Sequence, residues 1–273
     1  MWKKIVNPET GRKVNLLGPI GQRVIRNYIN NMKGGEIIEL GRGAHGIVYY
    51  DSENPDVIIK KQNDERGCKE WENEFTGHES VYNEWNGYTT EGPQFLKNAG
   101  KFINVTLPIE FSNIGHNCEI KSQRICTPNS DLLFHTIFGR EDFDFEVPGM
   151  GILKGFNQLK EILGSELNDF IKSLGIFIGF LHYCPNLKFT GIDLEYVFAR
   201  SCGTDDKPII NVLDFGEAVQ TITNIDSILK AMVFIDSYPL DNDIFWKGYQ
   251  EIAAFFEMSK SALLVEEQLK AEL

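Results

Sequence analysis

Three glycines in six residues, Gly41-Arg42-Gly43-Ala44-His45-Gly46, are followed at once by Ile47-Val48-Tyr49-Tyr50. β-Branched and aromatic residues favour strands, so the chain leaves the glycines as a strand. Residues 36–40, just before them, have the same character, and the run reads as the turn of a β-hairpin. This argues against a dinucleotide-binding fold, in which the glycines must open a helix whose N-terminus holds the pyrophosphate. A glycine hairpin has a different use: backbone without Cβ atoms can close over a phosphate chain and direct its amide N–H groups at the oxygens. The plainer alternative is a hairpin that needs only one or two glycines at positive φ.

Strand signals come first along the chain and helix signals later. Val57-Ile58-Ile59-Lys60 forms a third strand, entered through the Glu53-Asn54-Pro55-Asp56 turn. Trp71, Phe75, His78, Tyr82 and Trp85 recur at spacings of 4, 3, 4 and 3, which predicts an amphipathic helix. Residues 102–111 and 119–126 return to strand character, and residues 167–183 carry apolar side chains at helical spacing. A strand-like stretch at 209–213 then precedes a helical tail over 225–234, 245–257 and 260–273. Strands first and helices later predict an α+β arrangement of two lobes. The expected divisions are an N-terminal arm over 1–34, a β-rich lobe with one helix over 35–126, and a short, mainly helical lobe over 127–273. Within the last, residues 139–154 contain the acidic and aromatic Glu141-Asp142-Phe143-Asp144-Phe145-Glu146 and read as a loop insertion: a lid, a substrate-docking loop or a plain solvated segment.

Composition narrows the classes further. An apolar share of 42% with 12% aromatics is enough for a packed core and excludes wholesale disorder. The net charge of −12 divides into +6 on residues 1–33, where seven Lys/Arg face Glu9 alone, and −18 on the rest. The acidic body argues against nucleic-acid binding, for which the basic arm at 1–33 is the only candidate. Around its Val24-Ile25-x-x-Tyr28-Ile29 period the arm reads as a docking segment or a flexible tail. The longest apolar run, residues 174–181, is far shorter than a bilayer span. Asn7-Pro8-Glu9-Thr10-Gly11 interrupts any apolar region after Lys3 and Lys4, so no secretory signal is expected. Cys68, Cys118, Cys126, Cys184 and Cys202 are an odd number without Cys-x-x-Cys spacing, which predicts reduced thiols and a soluble, intracellular protein.

Ile209-Ile210-Asn211-Val212-Leu213-Asp214-Phe215-Gly216 is an apolar strand running into Asp-Phe-Gly. Together with Gly-x-Gly-x-x-Gly-x-Val and the Lys60 strand, fourteen residues after Gly46, it resembles the protein kinase superfamily. The resemblance implies a bilobal protein-kinase-like fold, ATP and Mg²⁺ as cofactors, and phosphoryl transfer to Ser/Thr of a protein substrate. By resemblance Gly41, Gly43, Ala44, Gly46 and Val48 would cover the nucleotide, and Lys60 would hold its α- and β-phosphates. Lys61 would point to the opposite strand face. Glu74, on the Trp71–His78–Val81–Trp85 stripe, would orient Lys60, with Glu79 as competitor one turn later. Asp214 would bind Mg²⁺.

The catalytic loop departs from the pattern. Where the family has His-Arg-Asp-Leu-x-x-x-Asn, this chain has Gly191-Ile192-Asp193-Leu194-Glu195-Tyr196-Val197-Phe198. Asp193 is the implied catalytic base, 21 residues before Asp214, while Phe198 stands at the metal-binding Asn position. In a second register Tyr196-Val197-Phe198 is the strand after the loop, Gly191 occupies the base position and the catalytic base is missing; Glu195 is then a substitute oxygen ligand for metal. Only 57 residues follow Gly216 and no Ala-Pro-Glu is present. These departures keep a second class open, a nucleotide-binding or scaffolding pseudokinase. Phosphorylation of a small molecule ranks below both, and adenylyl transfer stays open.

Leu181-His182, the Asp193–Phe198 segment, Asp214-Phe215 and Asp236-Ser237-Tyr238-Pro239 with Trp246 and Tyr249 resemble a narrower kinase-like family of fungi and large DNA viruses. Asn7-Pro8-Glu9-Thr10-Gly11-Arg12 resembles a short Asn-Pro-x-Thr-Gly-Arg motif of viral proteins, without its flanking Cys pair. These likenesses imply a viral protein of the host cytoplasm or virion.

Overall fold

The computed structural model describes residues 4–6, 13–15, 37–42, 46–51, 54–62, 67–114, 117–126, 134–136, 144–147, 151–154, 160–161, 163–191, 194–201, 209–215, 219–233 and 238–272. In the arm, β1 (Lys4–Val6) and β2 (Lys13–Asn15) pair antiparallel, Ile5 opposite Val14. The expected helical period at 24–29 lies outside the described residues.

The glycine run joins β3 (Ile37–Arg42) to β4 (Gly46–Asp51), which turns back into β5 (Asn54–Gln62). Helices α1 (Cys68–Glu91) and α2 (Gln94–Ala99) follow, then β6 (Ile103–Val105), β7 (Pro108–Ile114) and β8 (Asn117–Gln123). Strands β3-β4-β5-β8-β7, in that order, form one antiparallel sheet. Strand β5 is therefore central, with Lys60 opposite Val48 on one side and Ile120 on the other.

Helix α1 buries one stripe, Trp71, Glu74, Gly77, His78, Val81 and Trp85, at the spacing its sequence predicts. Its first turns pack Trp71 against Cys118 and Ile120 of the sheet. Farther along, Trp85 enters the main core, where its indole donates to the Ile103 carbonyl at 3.1 Å and its ring meets Phe177 and Phe180 edge-on. One helix thus spans two hydrophobic clusters.

The second sheet draws on β9 (Ile125–Cys126), β10 (Phe134–Thr136), β11 (Asp144–Val147), β12 (Gly151–Lys154), β13 (Glu195–Ser201) and β14 (Ile209–Asp214). Its order is β11-β12-β10-β13-β14-β6, with β9 also pairing β13. The stretch at 139–154, expected as a loop, contains the β11–β12 pair; its strands are four residues long, too short for periodicity to reveal.

Helix α3 (Leu167–Tyr183) is buried on nearly every face from Phe170 onward, as befits the centre of the second lobe. It is followed by α4 (Ile225–Met232), α5 (Asp243–Phe255) and α6 (Ser259–Glu272). Helices α3 and α5 approach at glycines: a Cβ on Gly175 would lie 2.0 Å from the Phe245 carbonyl oxygen, and one on Gly248 would lie 2.0 Å from that of Lys172. Both obstacles are backbone, which cannot swing away.

The expectation of reduced thiols is corrected at one pair. Cys68, at the start of α1, and Cys118, on β8, form a disulfide with their Cα atoms 5.6 Å apart. Spacing rules miss it because 50 residues separate the two cysteines and only helix-on-sheet packing brings them together. Cys184 is buried and unbridged, and burial first of all pushes its thiol up to about 11.

Two expectations follow for stability, both read by urea denaturation. Gly248→Ala should cost about 2–3 kcal/mol, whereas Gly87→Ala, on α1 with nothing within 4 Å of the new methyl, should gain about 0.5–1 kcal/mol. Reducing the disulfide, or replacing both cysteines by serine, should lower stability by about 4 kcal/mol, from loop-closure entropy alone.

Candidate active site

Alternation along β5 puts Lys60 on the face covered by α1, and the helical period puts Glu74 on the face of α1 that covers β5. The Lys60 ammonium donates to Glu74 Oε1 at 2.8 Å; the two side chains are 19% and 8% exposed. Lys60 also lies 5.4 Å from the centre of the Trp71 ring. Glu79 is exposed on another face of α1, while Lys61 faces Glu119 at 3.9 Å. Of the two glutamates weighed from the sequence, Glu74 is the one brought to Lys60.

The same helix reaches the segment around Asp214. A Cβ on Gly77 would lie 2.1 Å from Val219 Cγ1, so only glycine lets α1 come this close to the chain beyond Phe215. One turn past Glu74, His78 stacks on Phe215 with ring centroids 4.5 Å apart. Its Nε2–H donates to the Thr106 carbonyl at 2.7 Å, and the Thr106 hydroxyl donates to the Val212 carbonyl at 3.2 Å. Through His78 and Thr106 the helix bearing Glu74 is tied to the strand ending at Asp214. Sequence reasoning did not assign His78 this part, although its place four residues after Glu74 on a buried stripe was the available signal.

Asp214 closes β14, and in the antiparallel register its backbone partner is Glu195, the first residue of β13. Tyr196, Val197 and Phe198 lie within β13, Phe198 opposite Ile210, as the second register of the loop has them. Of the glycine run, Gly41 lies in β3, opposite Val48, and Gly46 opens β4. Gly43, Ala44 and Asp193 lie outside the described residues.

The segment leading to Asp193 is held from below. Phe189 N–H donates to the Leu181 carbonyl and Thr190 N–H to that of Gln220, each at 2.9 Å. His182, at the end of α3, donates from Nε2 to the Thr190 carbonyl at 3.0 Å, and its Nδ1 meets the Tyr249 hydroxyl at 2.8 Å. The Tyr249 hydroxyl in turn lies 3.0 Å from that of Tyr183 and accepts its hydrogen bond. With Nε2 donating, Nδ1 accepts, and the ring is neutral. Complete burial pushes the His182 pKa down to about 4, the Thr190 carbonyl pulling weakly the other way. The sequence offered only a histidine at the end of an apolar helix, without a sign of its partners.

No family model and no curated protein matches this chain. Among solved structures it is similar to aminoglycoside phosphotransferases. To the GDP and kanamycin complex of APH(2")-IIIa it has 9% identity and a TM-score of 0.33, over 92% of this chain and 98% of that one. A GDP complex of wild-type aminoglycoside 2'-phosphotransferase-IIIa gives 9% and 0.33, over 92% and 97%. The streptomycin–ATP complex of APH(2")-IIa gives 12% and 0.32, over 94% and 87%. The α+β, two-lobed character of the fold is visible in the chain itself, in the five-stranded sheet, helix α1 that crosses it, and the mainly helical part that follows. No helix among the described residues is long and apolar enough to cross a membrane.

The depressed His182 pKa has a measurable consequence. Above about pH 6.5 the imidazole is neutral in both folded and unfolded chains; below it only the unfolded chain takes up the proton. Its contribution to stability is therefore full above 6.5 and lost as pH falls toward 4, by roughly 3 kcal/mol in all. Urea midpoints measured from pH 7.5 to 4.5 should show that slope, and His182→Gln should flatten it.

Proposed function

We propose that this protein transfers the γ-phosphoryl group of ATP, with Mg²⁺, to a hydroxyl of a protein substrate. The observation that carries the reading is the largely buried Lys60–Glu74 pair, 2.8 Å across, on a helix tied through His78 to the strand ending in Asp214. An ion pair is an expensive way to fill an interior, since desolvation offsets most of its attraction. A phosphate site gives it a use: Glu74 holds Lys60 in place, and Lys60 neutralises phosphate charge.

In this reading the hairpin residues Gly41, Gly43, Ala44, Gly46 and Val48 cover the nucleotide. Asp214 supplies a hard oxygen ligand for Mg²⁺, and Glu195, its register partner, supplies a second in place of the family's Asn. Asp193, two residues past the position that the second register gives to the base, accepts the proton of the attacking hydroxyl. The metal's own contribution is to neutralise charge on the transferring phosphoryl oxygens. A second reading, a pseudokinase that binds nucleotide without transfer, is favoured by Phe198 lying within β13, where the family pattern has a metal-binding Asn.

A thermal-shift titration with ATP, with and without Mg²⁺, separates the readings. Saturating ATP at a hundredfold excess over Kd should stabilise the fold by about 2.7 kcal/mol. The Mg²⁺-dependent part should vanish in Asp214→Asn and shrink in Glu195→Gln. Glu74→Gln should weaken ATP binding more than Glu79→Gln. A shift indifferent to Mg²⁺ favours the pseudokinase, and no shift at all removes the nucleotide site. Transfer assays with a Ser/Thr peptide library, kanamycin and streptomycin then identify the acceptor; Asp193→Asn should abolish transfer and leave ATP affinity nearly unchanged.

A further inference from the structure

The Tyr238-Pro239 pair belongs to a motif of the second lobe that phosphate binding does not use. Tyr238 lies between α4 and α5, 3% exposed, and its hydroxyl donates to the Gly191 carbonyl at 2.8 Å. Gly191 is two residues before Asp193 in the chain.

Several features make this contact a fixed point. The Tyr238 ring stacks on Phe245 of α5, and the following Pro239 disfavours a helical backbone at Tyr238. The Trp246 indole, donating at 2.7 Å to the Leu240 carbonyl, ties the same turn to α5. On the other side, Gly191 takes a left-handed φ of +65°, which glycine adopts without strain. A Cβ there would meet Leu181 at 3.3 Å, Leu194 at 3.5 Å and the Tyr238 hydroxyl at 3.6 Å. Tyr196, just past the loop, is fully buried; burial and then the neighbouring Tyr238 hydroxyl push its phenol well above the usual tyrosine range.

The Gly191 carbonyl is buried, so it needs a donor within the protein. The family pattern places His and Arg where this chain has Gly191 and Ile192, so the loop lacks those side chains of its own. The neighbouring Thr190 carbonyl is held by His182 from α3. Two successive carbonyls ahead of Asp193 are thus gripped from different elements.

We propose that Tyr238 is a positioning residue for the loop that carries Asp193, its hydroxyl fixing the Gly191 carbonyl and with it the point at which the chain enters the site. The part of this inference that concerns turnover rests on the phosphotransfer reading; the part that concerns the loop does not.

Tyr238→Phe keeps the ring and its stacking and removes the hydroxyl, with its bond to the Gly191 carbonyl and its contact with the Tyr196 phenol. Two measurements on the full chain test it: amide hydrogen exchange by mass spectrometry, and conversion of ATP·Mg²⁺ to ADP with water as acceptor. Tyr88→Phe, which removes a hydroxyl from α1, is the control. Exchange across residues 188–194 should accelerate at least tenfold in Tyr238→Phe, with α1 and α3 unchanged. Turnover should fall at least tenfold, while Kd for ATP stays within twofold. If loop exchange and turnover stay within twofold of wild type, or exchange rises equally throughout the molecule as in general destabilisation, the proposal is overturned. If wild type converts no ATP, the phosphotransfer reading fails, and the loop-exchange comparison alone upholds or overturns Tyr238. Should Tyr238→Phe fold too weakly to measure, Gly191→Ala, which strains the same contact from the loop side, is expected to give the same local exchange pattern; an unchanged loop in that variant counts against the proposal.

Discussion

A lysine and a glutamate held largely out of water, 2.8 Å apart, set terms that much of this molecule meets. Neither charge is tolerable there alone, and removing one partner from such a pair costs about 3–5 kcal/mol. The pair therefore requires that β5 stay central in its sheet, that α1 lie across it in one rotational setting, and that nothing lift the helix away. The Cys68–Cys118 bridge fastens the first turn of α1 to β8, the neighbour of β5. Trp71 fills the space beside Lys60, and Trp85 anchors the far end of the helix in the core of the second lobe. Helix α1 is thus held at both ends around Glu74.

The second lobe answers a different demand, to hold irregular backbone still. Helix α3 provides the platform because α5 can press against it backbone to backbone at Gly175 and Gly248. That closeness brings Tyr249 to His182, and His182 to the Thr190 carbonyl. Polar groups buried this deeply must be satisfied, so each hydrogen bond restricts its neighbours. His78 joins the two arrangements, since its ring touches Phe215 while its Nε2–H reaches the Thr106 carbonyl next to β14.

Periodic signals were legible in the sequence and chemistry without periodicity was less so. The Trp71–Trp85 stripe foretold both α1 and the inward setting of Glu74, because a 24-residue helix repeats its message several times. Strands β10, β11 and β12 were missed because three or four residues cannot establish a period of two. Strand β6 was read as continuous with β7; it instead leaves the first sheet to pair in parallel with β14, a choice made by the distant partner. The disulfide was missed for the same reason, its cysteines being neighbours only after α1 packs on β8.

What the sequence by itself determined is local: where strands and helices lie, which face of α1 is buried, and that a glycine turn leads into a strand and not a helix. Those follow from side-chain size, branching and spacing, which act over a few residues. Only the tertiary structure decided which glutamate meets Lys60, that His78 stacks on Phe215, and that Tyr238 grips Gly191 from 47 residues away. Each of these depends on a buried polar or aromatic group finding its partner. Burial is a property of the packed chain, so a residue's neighbours in space, and not in sequence, determine what it does.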